Sequence, residues 1–203
     1  MLKVYYGHTS LVENQQVFDQ LLNRVQEDRR QKVLHYKQDK DRKNSLLAGV
    51  LLKHALEKEG LSYETLKFNK TVEGKPFLES NPNLHFSISH AGEYVVCAIS
   101  DKPVGVDIES IDRDVFLPGK LQRLDAMAQK CLSENEMKKF IQSNEVEKKE
   151  LFIKYWTRKE AYSKVIGKGI GMDFSTIDTE TDSMRYKSNW IKEGYMLSIC
   201  MMN

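Results

Sequence analysis

A chain of 203 residues with 40% hydrophobic and 30% charged side chains is long enough for one domain or two small ones, and folding should bury roughly 70% of the surface the unfolded chain exposes. The composition is globular, and no apolar run approaches the ~20 residues needed to cross a bilayer, so no membrane association is expected. A net charge of +2 is too small to imply nucleic acid, whose binders usually carry a strongly basic domain or stripe.

The N-terminal residues Met1 to Tyr6 alternate as a short strand does and have none of the marks of a secretory signal. Cys97, Cys131 and Cys200 are odd in number, far apart and without a Cys-x-x-Cys pair, so they read as reduced core thiols of a cytoplasmic protein. Val17, Phe18, Leu21, Leu22 and Val25, then Leu46, Leu47, Val50, Leu51 and Ala55, recur at helical spacing. Two helices therefore fill most of the first sixty residues. The basic run Arg29, Arg30, Lys32, Lys37, Lys40, Arg42 and Lys43, interleaved with Asp28, Asp39 and Asp41, reads in isolation as a solvated helical face.

From Lys67 the pattern changes to short strands. The turn Glu73-Gly74-Lys75-Pro76 precedes alternating Leu84, Phe86 and Ile88, and Ala91-Gly92-Glu93 turns the chain into an apolar run from Tyr94 to Ile99, which reads as a hairpin. Lys102-Pro103 is the best boundary, with the strand Val104 to Glu109 beyond it. Ser133-x-x-Glu136 has the form of a capping box, so a helix starts there. Another covers about Glu150 to Ile166 and stops at the glycine-rich stretch Gly167 to Gly171. Strands are expected around Ser175 to Ile177 and Tyr195 to Ile199.

Asp107 and Glu109 project from one face of their strand about 7 Å apart, a spacing that can converge on a cation, while Val104, Val106 and Ile108 point into a core. Two solvated acids on a half-exposed strand are the plainer reading. On the helix near Trp156, Lys159 falls inside an arc of aromatic and aliphatic residues that excludes Ile153. A lysine there must reach water or meet an anion, because burying an unpaired ammonium is costly. Glu160 and Lys164 are either a surface pair one turn apart or a carboxylate for a metal and a lysine for phosphate. Gly167-Lys168-Gly169 lacks the spacing and setting of a phosphate-binding P-loop, and no zinc, dinucleotide or Ser-His-Asp signature is present. Composition and spacing lead to a candidate magnesium and phosphate site and no further.

Taken in order, Gly74-Lys75-Pro76-Phe77, Phe86 to Ala91 (Phe-Ser-Ile-Ser-His-Ala), Val104 to Glu109 (Val-Gly-Val-Asp-Ile-Glu) and Trp156 to Lys164 (Trp-Thr-Arg-Lys-Glu-Ala-Tyr-Ser-Lys) resemble the surfactin-synthetase-type phosphopantetheinyl transferases. The resemblance spans about Arg29 to Gly169. It implies an α+β monomer of two similar halves, 1–103 and 104–203, each a small antiparallel sheet with helices, related by a pseudo-twofold axis with coenzyme A in the cleft between them. It implies that Arg29, Lys32, Lys43, Lys75, Pro76, Ser89, His90 and Lys164 bind coenzyme A, and that Asp107, Glu109 and Glu160 hold Mg2+ on its pyrophosphate. Where the family often has arginine this chain has Asn44, so Arg42 or Lys43 must supply the charge or the ribose phosphate is held more weakly. Glu136 matches an acidic position near the site, but its capping role suffices to explain it.

The implied reaction moves phosphopantetheine from coenzyme A to a serine of an acyl or peptidyl carrier protein, with Glu160 and Lys164 as catalytic groups. Competing readings are a non-catalytic binder of coenzyme A or of a carrier domain, and a metal-dependent pyrophosphate hydrolase.

Overall fold

The computed structural model describes residues 1–112, 121–168, 171–192 and 194–203. They group into two units, Met1–Thr71 with Pro76–Lys102, and Val72–Lys75 with Pro103–Asn203. Each unit combines a small antiparallel sheet with helices, the α+β organisation expected from the sequence.

In the first unit β1 (Leu2–His8) and β4 (His85–Ala91) flank β5 (Tyr94–Ser100), all antiparallel. The central strand reads as a continuous apolar run because Val95, Val96, Cys97, Ala98 and Ile99 are all buried. The hairpin between β4 and β5 turns at Gly92, whose φ of 55° lies in the left-handed region that glycine reaches without steric cost. Three helices lie between β1 and β4 in the chain rather than the two expected: α1 (Gln15–Leu22), α2 (Glu27–His35) and α3 (Asp39–Lys58). The missing helix is α2, which buries only Val33 and so carries no apolar stripe for periodicity to detect. α3 is the centre of the unit. Its Leu46 packs with Phe18, Leu22, Val25 and Val33, while Leu52, Ala55 and Leu56 pack with Tyr63, Phe86, Cys97 and Ile99. A short hairpin of β2 (Phe68–Lys70) and β3 (Pro76–Leu78) completes the unit.

In the second unit β6 (Val104–Ser110) and β7 (Arg185–Ile191) flank β8 (Tyr195–Met201), again antiparallel. Among the described residues three helices, α4 (Leu121–Cys131), α5 (Glu134–Gln142) and α6 (Glu145–Ile166), lie between β6 and β7 in the chain. The capping box at Ser133 starts α5 as expected. α6 begins a turn earlier than its apolar pattern does, because Asn144 and Glu147 form a second capping box. It ends at Gly167, whose φ is 84°; Gly169 and Ile170 of the expected stop lie outside the described residues.

Two expectations fail here. The strand placed at Ser175 to Ile177 is a 3-10 turn, Phe174–Thr176, fixed by Asp173 accepting from the Ser175 backbone N–H at 3.0 Å and from its hydroxyl at 2.7 Å. Local side-chain capping outweighed strand propensity. Ile153, placed outside the apolar arc of α6, is buried with Leu124, Phe140 and Phe152, since α6 packs on β6, β8 and two helices at once. β7 was not anticipated, because along this edge strand exposed Arg185, Lys187 and Asn189 alternate only with half-buried Tyr186 and Ser188, a weak apolar contrast.

Candidate active site

β6 and α6 meet at Gly105. A Cβ there would lie 1.9 Å from the Ala161 carbonyl oxygen, so the two backbones can touch only because residue 105 has no side chain. Asp107 and Glu109 follow on β6, and Glu160 and Lys164 flank the contact on α6. Lys164 Nζ donates to Asp107 Oδ1 at 2.7 Å and to the Val106 carbonyl oxygen at 2.9 Å. The Asp107 side chain is 8% exposed and that of Lys164 30%, so this pair is shielded on one side and open on the other. Glu109 and Glu160 are half-buried. Val104, Val106 and Ile108 are buried, as strand alternation requires.

Among the described residues no three His, Cys, Asp or Glu side chains form a ready metal cage. The donors nonetheless fit magnesium, which favours anionic oxygen and commonly takes one or two carboxylates, completing its shell with water and substrate phosphate. Asp107 supplies a carboxylate already poised against a cation, the ammonium of Lys164. Lys75 joins the same end of α6, with Nζ donating to the Val165 carbonyl oxygen at 3.1 Å. That oxygen is among the last-turn carbonyls a helix leaves without an intrahelical partner. Burial lowers the Lys75 pKa.

One turn away stands a pair that reading along the chain did not assemble. Lys159 and Glu136 are both fully buried, with Nζ 2.5 Å from Glu136 Oε2. Lys159 also donates to the Phe174 carbonyl at 2.8 Å and the Ile177 carbonyl at 2.6 Å, which uses all three ammonium donors. Glu136 Oε2 accepts from the Ser133 N–H at 3.0 Å, and Oε1 from the Thr179 N–H at 3.0 Å and hydroxyl at 2.8 Å. Burial lowers the Lys159 pKa and Glu136 opposes that shift. The capping role of Glu136 was correct and incomplete, because one carboxylate caps α5 and also ties α6 to the 174–179 segment. The available signal was the lysine itself, which needed an anion among apolar neighbours.

In the first unit the half-buried Arg29 and the exposed Lys32 lie on α2. Arg29 is held close to α3 through Gly49, where a Cβ would come within 2.8 Å of Arg29 Cγ. Burial lowers the pKa of both cations, and Lys32 is pushed down further by Arg29 and by Lys70. Lys70, on β2, was not singled out from the sequence, since one lysine in a short hairpin carries no pattern. Together these residues form a cationic cluster whose mutual repulsion an anion would relieve. Lys43 is instead engaged by Glu13 at 3.0 Å and Asp39 at 2.7 Å, which raise its pKa. The Arg42 guanidinium lies 5.2 Å from the centre of the Phe18 ring. Asn44 is buried, its Nδ2 donating to the Gly92 carbonyl at 3.4 Å. Ser89 is buried, and Pro76 and His90 are exposed, at β4 and β3 positions of this unit.

Residues 13–102 match a family model described as 4′-phosphopantetheinyl transferase, N-terminal, and residues 103–201 one described as the 4′-phosphopantetheinyl transferase superfamily. The chain is 33% identical over 204 residues to the 4′-phosphopantetheinyl transferase gsp of Aneurinibacillus migulanus, an alignment covering 92% of this chain and 80% of that relative. It is 23% identical to the 4′-phosphopantetheinyl transferase Sfp of Bacillus subtilis strain 168, over 98% of this chain and 92% of the relative. A third relative, an L-aminoadipate-semialdehyde dehydrogenase-phosphopantetheinyl transferase of Xenopus laevis, is 28% identical over 77% of this chain and 54% of its own length.

Proposed function

The chain belongs to the 4′-phosphopantetheinyl transferase family, and from that premise we propose that it transfers the phosphopantetheine arm of coenzyme A to a serine of an acyl or peptidyl carrier protein, releasing adenosine 3′,5′-bisphosphate. The observation that carries this reading is the Asp107–Lys164 contact of 2.7 Å, on two elements that touch at Gly105 and also bear Glu109 and Glu160.

In the proposed reaction the serine oxygen bonds to the phosphorus on the pantetheine side as the bond from that phosphorus to the bridging pyrophosphate oxygen breaks. The serine proton passes to Glu160, directly or through a water. Asp107, Glu109 and Glu160 would hold magnesium, which supplies charge neutralisation on the pyrophosphate. Lys164 offsets charge on the same group. Arg29, Lys32 and Lys70 suit a phosphate remote from the reacting centre, with Lys75, Pro76, Ser89 and His90 binding further parts of coenzyme A. Because Lys43 is committed to Glu13 and Asp39, Arg42 is the better substitute for the arginine that Asn44 replaces.

The proposal includes a monomer working in a reducing cytoplasm. Both family segments on one chain and three free cysteines support it. No helix among the described residues is long and apolar enough to cross a membrane.

The test is intact mass of an apo carrier domain after incubation with the protein, coenzyme A and magnesium. A gain of one phosphopantetheine is expected. Unchanged carrier with coenzyme A consumed would replace the transferase reading with a hydrolase, and neither change would leave a binding module.

A further inference from the structure

We propose that Lys164 is a resident cation of the carboxylate site, which an incoming divalent metal displaces and substrate pyrophosphate draws away, so that metal and coenzyme A bind cooperatively. The inference rests on the functional reading above and concerns this chain's own lysine. Its ammonium sits 2.7 Å from Asp107 Oδ1, on the carboxylate that a metal would use. An ammonium and a dication at one carboxylate repel each other, the more strongly where Asp107 is shielded from solvent.

The contrast with Lys159 shows that Lys164 can leave. Lys159 is sealed, with three partners around its ammonium. Lys164 is 30% exposed and carries four rotatable carbons that can swing its charge toward an anion. A bound pyrophosphate offers that anion, and Asp107 is then released to the metal. Thermodynamic linkage makes the effect mutual: coenzyme A tightens the metal by the same factor by which the metal tightens coenzyme A.

The experiment uses Mn2+ as the probe, with free Mn2+ counted by electron paramagnetic resonance and binding by coenzyme A alone subtracted. No carrier is present, so nothing turns over. Wild type, Lys164→Met, Lys164→Gln and Asp107→Asn are compared with and without saturating coenzyme A, and circular dichroism melts check each fold. Wild type should bind Mn2+ weakly alone and more tightly with coenzyme A, by a factor within the usual coupling range of about 5–150-fold. Lys164→Met should bind Mn2+ more tightly than wild type when coenzyme A is absent, and its coupling factor should shrink. Lys164→Gln gives a second folded variant with the charge removed. If neither variant gains Mn2+ affinity while Asp107→Asn loses it, the metal site stands and the displacement idea is overturned. If Asp107→Asn binds Mn2+ as wild type does, or no protein binds it even with coenzyme A, the carboxylate site itself is wrong and the displacement idea falls with it.

Discussion

α6 carries two lysines that each meet a carboxylate, and the two pairs differ in almost every physical respect. Lys159 and Glu136 are both fully buried, and every donor and acceptor they own is used by Ser133, Phe174, Ile177 and Thr179 or by each other. Lys164 and Asp107 are a partly open pair, with the lysine side chain 30% exposed. A saturated, desolvated pair cannot exchange partners without leaving a charge stranded, whereas an open one can. An ammonium and a carboxylate thus make a fastener in one place and, in the reading proposed above, an exchangeable site in the other.

The largest expected effect is on turnover at the open pair. Asp107→Asn and Glu160→Gln should each lower transfer to a carrier serine and reduce metal affinity, Glu160→Gln by about 10²–10⁴-fold, the usual cost of losing proton-transfer help. Transfer rate against magnesium concentration measures this, with circular dichroism confirming the fold. Wild-type rates with unchanged magnesium dependence would erase the functional half of the comparison.

At the sealed pair the effect should be on stability. Glu136→Gln strands the Lys159 ammonium and should cost about 3–5 kcal/mol in urea unfolding. Replacing both residues by methionine should recover much of that loss, because two apolar groups leave no stranded charge. Lys164→Met, by contrast, should cost less, because that pair is open to solvent on the lysine side. Equal losses at Lys159 and Lys164 would abolish the distinction between them.

Gly105→Ala tests what brings the open pair together. With its Cβ 1.9 Å from the Ala161 carbonyl, it should push α6 off β6, costing about 1–3 kcal/mol and reducing transfer. Unchanged stability and rate would show that the contact at Gly105 does not position the site.

Lys75→Ala and His90→Ala should raise the KM for coenzyme A more than they lower kcat, since in the proposed reading they hold parts of the substrate remote from the reacting phosphorus. Steady-state kinetics decides it.

The smallest effect concerns thiols that take no part in either pair. Burial pushes Cys97 and Cys200 up to about 12, against about 8.5 for an exposed thiol. The folded state then keeps protons that the unfolded state releases, so their stabilisation is complete below about pH 8.5 and is lost as pH rises toward the folded value. Urea midpoints should fall from pH 8 to 10, with a shallower fall in Cys97→Ala and Cys200→Ala.

Much of the fold was legible along the chain. The Ser133 capping box, the Ala91-Gly92-Glu93 hairpin and the glycine stop after Ile166 are local signals, and local signals survive packing. α2 was not legible, because a helix that buries one residue owes its existence to α3 beneath it. The site was legible in part. Asp107, Glu109, Glu160 and Lys164 stood out by type and spacing, while Lys70 stood out in no way until α2 and the β2–β3 hairpin brought it within range of Lys32.

The sequence by itself determined which groups are available: carboxylates two apart on a strand, a glutamate and a lysine one turn apart on a helix, and a lysine among aromatics that had to find an anion. Which acid meets which lysine was decided only by tertiary structure. Asp107 reaches Lys164 because Gly105 lets β6 lie against α6, and Glu136 reaches Lys159 because α5 packs beside it. Neither pairing has a period or spacing that a chain read residue by residue could display, since both depend on where separately folded backbones come to rest.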